Sequence, residues 1–237
     1  MGKRITQQAR GKGGPAFTVR KQAYIYKIKY PKLSTEGNAK IVKLFNSSAH
    51  SAPLIKGLIN KETFIIPAVE GVYEGQEIEL NKNFEIGKIN IGNITKLKNI
   101  PLGTRICSIE KVPGKGPVFM RCAGSFAVVS AQTNNGIEIN IHNRRRIVLN
   151  ENCRATIGSI AAEGRLTKPL VKAGKVHHMM KSIGRKWHRT SPIKVNAVDH
   201  PFGSGRGKRI KSKIAQRNAS PGQKVGHLRP RRTGRKR

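Results

Sequence analysis

Acidic residues are scarce in this 237-residue chain: 12 Asp and Glu stand against 47 Lys and Arg, a formal net charge of +35. So few carboxylates leave little material for the paired acids and bases of hydrolytic enzymes, and no such pair stands out. Cysteine is sparse too. Cys107, Cys122 and Cys153 lie far apart, with no Cys-x-x-Cys pair or Cys/His cluster at zinc spacing. They are expected to be small buried apolar residues, and no metal or cofactor is expected. No apolar run approaches the ~18–20 residues of a membrane helix, and the basic ends lack an amphipathic stripe with aromatic anchors, so no membrane partner is expected. Lys3-Arg4 and the polar residues after them exclude a secretory apolar core. Gly2 and Thr6 satisfy myristoylation spacing formally, but Lys3 and Arg4 crowd the site. A cytoplasmic location is expected.

The charge that is present is unevenly spread. Residues 1–35 carry nine Lys/Arg and no acid, residues 36–162 carry sixteen against ten acids, and residues 163–237 carry twenty-two against two. A nearly balanced centre therefore lies between two strongly cationic ends, whose self-repulsion is relieved most naturally by a polyphosphate.

The centre reads as short apolar runs separated by turn residues. Residues 40–45, 63–69, 76–80 and 84–90 form a first set of predicted strands. Residues 104–110, 118–121, 126–131, 136–141 and 145–149 form a second, with Asn134-Asn135-Gly136 as a hairpin signal. Many short strands at regular spacing predict two small β-barrels with thin cores. Residues 154–162 fit either a helical turn or a closing strand. The first 35 residues read as an arm in which Gly11, Gly13, Gly14 and Pro15 break regular structure. Tyr24, Tyr26 and Tyr30 alternate with lysines there, which suits either stacking on bases or a strand with Tyr on its buried face. Beyond residue 163 hydrophobic periodicity disappears.

Within that last segment, residues 195–207 (VNAVDHPFGSGRG) fit neither helix nor sheet. Pro201 lacks an N–H and pushes His200 toward an extended conformation, while Gly203 and Gly205 permit positive φ and close backbone approach. The flanks are cationic: Lys181, Arg185, Lys186, Arg189 and Lys194 before, Arg206, Lys208, Arg209, Lys211 and Lys213 after. Such a segment is expected to need an anionic partner to order it. Asp199 is its lone carboxylate after Glu163, and fits a local salt bridge or a turn cap better than a metal bridge to phosphate. His188 and His200 suit stacking on bases or donation to phosphate. Trp187, flanked by Lys186 and His188, suits stacking in RNA. His177 and His178 are adjacent and share no face, which makes a poor metal pair. No nucleophile elbow or phosphate-binding loop occurs, so catalysis by the protein is not expected.

Three stretches carry a resemblance. Arg185-Lys186-Trp187, the run Asn196-Ala197-Val198-Asp199-His200-Pro201-Phe202-Gly203 and the run Asn152-Cys153-Arg154-Ala155-Thr156-Ile157-Gly158 closely resemble the universal large-subunit ribosomal protein family L-two. Gly2-Lys3-Arg4, the Arg10-Gly11-Lys12-Gly13 arm and the run from Met120 to Ser125 match as well, so the likeness spans essentially the whole chain. Phe202 in place of a second His, with the short length, resembles the archaeal branch. The resemblance implies a mainly β fold, an OB-like barrel over 36–88 followed by an SH3-like barrel over 89–162. A basic arm over 1–35 and a basic extension over 163–237 would thread ribosomal RNA.

It also implies neighbouring ribosomal proteins as partners, contact with the small subunit, and support for subunit association, tRNA binding and peptide-bond formation near the peptidyl-transferase region. In such a setting RNA performs the chemistry. The RNA-facing residues so implied are Arg4, Arg10, Lys12, Lys181, Arg185, Lys186, Trp187, Arg189, Asn196, Asp199, His200, Gly203, Gly205, Arg206, Lys208, Arg209 and Lys211. The sequence departs from the family pattern at Val195, at Ser204 where the family has Gly, and over 188–192. An architectural DNA-binding protein and an RNA-modifying enzyme are the competing readings. The first need not place a glycine-rich turn in a basic tail, and the second lacks a cofactor loop or catalytic pair.

Overall fold

Alternation of buried and exposed side chains sets out the strands of the central region. In the computed structural model, which describes residues 2–81, 90–141, 145–207 and 214–228, strand β1 (Gly37–Phe45) buries Ala39 and Ile41 and exposes Lys40 and Val42. It pairs antiparallel with β2 (Leu54–Ile59), which continues through a tight turn at Asn60-Lys61 into β3 (Glu62–Pro67). Both turn residues have positive φ, 45° and 66°, the geometry that matches the right-handed twist of a hairpin. No glycine marks this turn. Strand β2 itself was absent from the sequence expectation because Lys56 and Gly57 interrupt its apolar run. Gly57 faces Phe64 across the hairpin, and any Cβ there would occupy the space of the Phe64 ring.

The chain continues as β4 (Glu77–Leu80), β5 (Ile94–Lys96), β6 (Arg105–Cys107), β7 (Ile109–Glu110), β8 (Pro117–Phe119), β9 (Ala127–Thr133), β10 (Gly136–Ile141), β11 (Arg145–Leu149) and β12 (Arg154–Ile157). The hydrogen-bonded order is β11-β10-β9-β6-β12-β5-β4-β1-β2-β3, with β7 and β8 pairing separately. The hairpin expected at Asn134-Asn135-Gly136 joins β9 to β10, and residues 154–157 form a strand. The single run expected over 104–110 is split, because Ser108 adopts a left-handed φ of 50° and turns the chain between β6 and β7. The strand expected over 84–90 falls, but for Asn90, outside the described residues.

Two apolar cores result. One gathers Ile41, Ile55, Phe64, Ile66, Ile78 and Leu80, and the other gathers Ile106, Ile109, Val129, Ile137, Ile139 and Ala155. A smaller group of Ala52, Val69, Cys107, Ala123 and Ile160 packs beside them. Cys107 and Cys153 are buried as expected, and burial pushes their thiols up to about 12 and about 11. Cys122 is exposed, against that expectation, since its neighbours hold it in a surface turn.

A polar cluster is sealed among these apolar groups. Arg154 and Glu110 are 1% and 0% exposed, and the Arg154 Nη2 to Glu110 Oε1 distance is 2.9 Å. Glu110 also accepts the backbone N–H of Arg154, Gly114 and Gly116, and Arg154 Nη1 donates to the Pro31 carbonyl at 2.8 Å. Tyr30 lies against the guanidinium, 5.0 Å from Arg154 Cζ to the ring centroid; its hydroxyl donates at 2.6 Å to the Ser108 carbonyl and is hydrogen-bonded at 2.6 Å to the Thr156 hydroxyl. Of the alternating tyrosines, then, Tyr30 is buried in this cluster. Tyr24 and Tyr26 remain exposed, packed edge-on against His50 and Phe45.

The chain divides into two compact units, residues 21–170 and a second made of residues 1–20 with 171–237. Within this second unit the two basic ends pack on one another, which the expectation of self-repelling segments did not foresee. Helix α1 (Thr6–Lys12) forms where glycines were expected to prevent it: Gln8 accepts the Ile5 N–H at its start, and Gly13 ends it at φ 71°. The glycines stop the helix; they do not preclude it. After a single turn, α2 (Gly164–Thr167), helix α3 (Ala173–Ser182) buries part of Val176 and Met180, an i, i+4 pair that carries its only apolar stripe. Gly184 follows at φ 66° and packs against the Thr18 backbone.

Candidate nucleic-acid interface

The turn around His200 is built by its own backbone. Asp199 and His200 donate their N–H groups to the Asn196 carbonyl at 3.0 and 3.3 Å, and Gly203 donates to the His200 carbonyl at 2.8 Å. Ser204 N–H closes the loop on the Val195 carbonyl at 2.9 Å. Gly203 is required for close approach: a Cβ would meet the carbonyls of Asn196 and Val195. Its φ is not positive. The left-handed positions are Ser204 at 73°, Gly205 at 96° and Gly207 at 74°, so Ser204 holds a conformation suited to glycine. The departure from the family pattern at Ser204 is thus a strained one.

His200 is buried, and its Nδ1 accepts the Phe202 N–H at 3.0 Å. That bond demands a neutral imidazole carrying its proton on Nε2. Burial holds the ring below its ordinary value of 6.5. Below that pH the unfolded chain takes up a proton while the folded turn resists it, so the turn loses stability as pH falls beneath about 6.5 until the folded imidazole itself titrates. Protease nicking within residues 196–204 should therefore increase as the pH is lowered from about 7 to 5, and a His200→Gln variant should show no such increase.

The N-terminal residues meet this turn. Lys3 N–H donates to the Val198 carbonyl at 2.8 Å, and Lys3 Nζ lies 3.5 Å from Asp199 Oδ1. Both side chains are largely exposed, so the pair contributes at most about 1 kcal/mol, and it orients the carboxylate more than it stabilises the unit. Together the segments border a cleft of about 500 Å³ lined by Lys3, Arg4, Arg10, Lys186, Arg189, Asp199 and His200, with Gln7 and His188 alongside. Four of the predicted cations, Arg4, Arg10, Lys186 and Arg189, are thus brought together with Asp199 and His200.

Other predicted residues are not in the cleft. Lys12, Lys181, Arg185, Asn196, Gly205 and Arg206 are exposed elsewhere on the unit, Gly203 is buried, and Trp187 is half-buried with its ring centroid 3.8 Å from that of His188. Lys208, Arg209, Lys211 and the flanking Lys213 lie outside the described residues. Among the cleft residues outside the predicted set are Lys3, which stood in the Gly2-Lys3-Arg4 match, and Thr6 and Gln7 of the basic arm. The pairing of Lys3 with a turn nearly 200 positions away leaves no trace in local sequence.

Small paired β cores, and basic chain ends folded into one cationic cleft, define a mainly β protein. Residues 90–222 match the family described as "Ribosomal Proteins L2, C-terminal domain". Proteins named Large ribosomal subunit protein uL2 are similar over full length: that of Archaeoglobus fulgidus is 42% identical over 99% of both chains. That of Methanothrix thermoacetophila is 40% identical over 100% of both, and that of Sulfolobus acidocaldarius 38% identical over 100% of this chain and 99% of its own. The chain belongs to the uL2 family of large ribosomal subunit proteins, and these relatives are archaeal, as the sequence resemblance implied.

Proposed function

We propose that the chain is a structural constituent of the large ribosomal subunit that binds large-subunit ribosomal RNA through its two basic ends. The observation that carries this reading is the cleft itself. Five cations, Lys3, Arg4, Arg10, Lys186 and Arg189, converge there from the two ends of the chain, an arrangement whose mutual repulsion is best offset by phosphates. The remaining proposed RNA contacts are Lys12, Lys181, Arg185, Trp187, Asn196, Gly203, Gly205 and Arg206, with Lys208, Arg209 and Lys211. On this reading residues 36–88 and 89–162 form OB-like and SH3-like barrels, while residues 1–35 and 163–237 thread the RNA. Family membership supports a cytoplasmic setting, neighbouring ribosomal proteins, contact with the small subunit and no membrane. It further supports a place near the peptidyl-transferase region, where the His200 turn would aid subunit association, tRNA binding and peptide-bond formation without itself catalysing.

The test is the salt dependence of rRNA binding. Lys186→Ala with Arg189→Ala should weaken binding across sequences. The plot of log affinity against log salt should flatten by about one unit for each phosphate that is no longer neutralised. An unchanged slope would remove the cleft from the interface. Equal affinity for duplex DNA would favour the architectural DNA-binding reading instead.

A further inference from the structure

A cleft made only to grip a phosphate backbone has no use for a carboxylate, yet Asp199 stands in this one and is the sole acid after Glu163. Lys3 engages only Oδ1, at 3.5 Å, so the carboxylate retains capacity for donors from a ligand. Beside it is a second group of determined polarity. Because the Phe202 N–H occupies Nδ1, the neutral His200 can offer only an Nε2–H donor. Asp199 and His200, adjacent residues that both line the cleft, thus carry an acceptor pair and a single donor, with Arg4, Arg10, Lys186 and Arg189 bordering them.

We infer that the cleft takes one unpaired guanine nucleotide of the RNA, with Asp199 accepting from N1–H and the N2 amino group, His200 donating to O6, and the surrounding cations holding its phosphates. The inference rests on the RNA-binding reading above. Guanine is the base whose Watson–Crick edge carries two neighbouring donors followed by an acceptor. Adenine and cytosine each offer one amino donor beside a ring nitrogen that would repel a carboxylate. Uracil has one N–H between two carbonyls. A cleft of about 500 Å³ accommodates a single nucleotide and no duplex. Sequence-specific readout of unpaired bases on their Watson–Crick edge is the usual manner of recognising RNA, and a bidentate match of this kind is worth a factor of about ten or more in discrimination.

The experiment uses the full chain bound to large-subunit rRNA and a glyoxal reagent that modifies guanine at N1 and N2. An unpaired guanine should be protected in the wild-type complex and become about tenfold more reactive with Asp199→Asn, with affinity lowered by a similar factor and the salt slope unchanged, since no phosphate contact is removed. Changing that guanine to adenine in the RNA should weaken wild-type binding about tenfold, a readout that does not depend on how the variant folds. If the complex forms with normal affinity but no guanine responds to Asp199→Asn, the inference is overturned and the RNA-binding reading stands. Protection that depends on added divalent cation overturns it as well, since the carboxylate would then hold a metal. Failure of the wild-type chain to bind rRNA at all would overturn the reading beneath it.

Discussion

Glu110→Gln should destabilise the unit spanning residues 21–170 by about 3–5 kcal/mol, the largest single-residue effect expected in the molecule. The substitution preserves shape but leaves Arg154, 1% exposed, as an uncompensated buried cation. It also weakens an acceptor that serves three backbone N–H groups, those of Gly114, Gly116 and Arg154. The loss propagates because Arg154 ties the Tyr30-Pro31 segment to strand β12 through the Pro31 carbonyl and the Tyr30 ring. A thermal melt of the full chain, followed by a probe of β-structure, measures it. Arg154→Met should cost a similar amount, and the double variant much less than the sum, since no lone charge remains buried. It should not return to wild-type stability, because glutamine offers one oxygen where Glu110 offers two, and the N–H groups of Gly114, Gly116 and Arg154 cannot all be served by it. A shift below about 1 kcal/mol for Glu110→Gln would mean that water reaches Arg154, and the sealed cluster would be wrong.

Gly203→Ala should collapse the His200 turn while leaving the β cores intact. A Cβ at this position would stand 2.6 Å from the Val195 carbonyl oxygen and closer still to that of Asn196. Those are backbone atoms held by the turn's own hydrogen bonds, so neither can rotate away as a side chain would. Overpacking of this kind costs about 1–3 kcal/mol even where neighbours adjust. The turn has little apolar burial with which to absorb it. His200 titration by NMR reports the outcome: once released from burial and from the Phe202 N–H, the imidazole should rise to its ordinary value of 6.5. Retention of the lowered value would show that the turn tolerates the methyl group. The thermal transition of residues 21–170 should not move in either case. Ser204→Gly acts in the opposite sense, since it relieves a left-handed residue, and should raise the protease resistance of the same turn.

Both predictions rest on residues whose types were visible in sequence but whose roles were not. Arg154 stood in the run from Asn152 to Gly158 that carried the family resemblance, and Glu110 was one of ten acids in a nearly balanced region. That they form one buried pair follows from β12 entering the sheet beside β5 and β6, with β7 continuing directly from β6. The special character of Gly203 was legible, and of the two reasons the sequence offered, positive φ and close backbone approach, the second is the one that applies. Strand β2 escaped notice because a strand position emptied for a facing Phe64 ring looks, in one dimension, like a turn residue. Helix α1 escaped because glycine near a helix end and glycine in a loop are the same letter until the end of the helix is known.

Composition and local pattern were enough for the class of protein. The excess of cations sets the kind of partner through long-range electrostatics, which depends on net charge and hardly on fold. Period-two runs with turn residues between them settle a mainly β centre, since alternation is a property of consecutive residues. The cleft is of another kind. It exists because Lys3 hydrogen-bonds to Val198 and pairs with Asp199, joining segments almost the full length of the chain apart. Contacts between distant segments are chosen by three-dimensional closure, where loop entropy, backbone hydrogen bonds and burial balance over the whole unit. No local stretch of sequence encodes that balance, so the excess of cations could be read from the chain, and the cleft that gathers five of them only from the folded molecule.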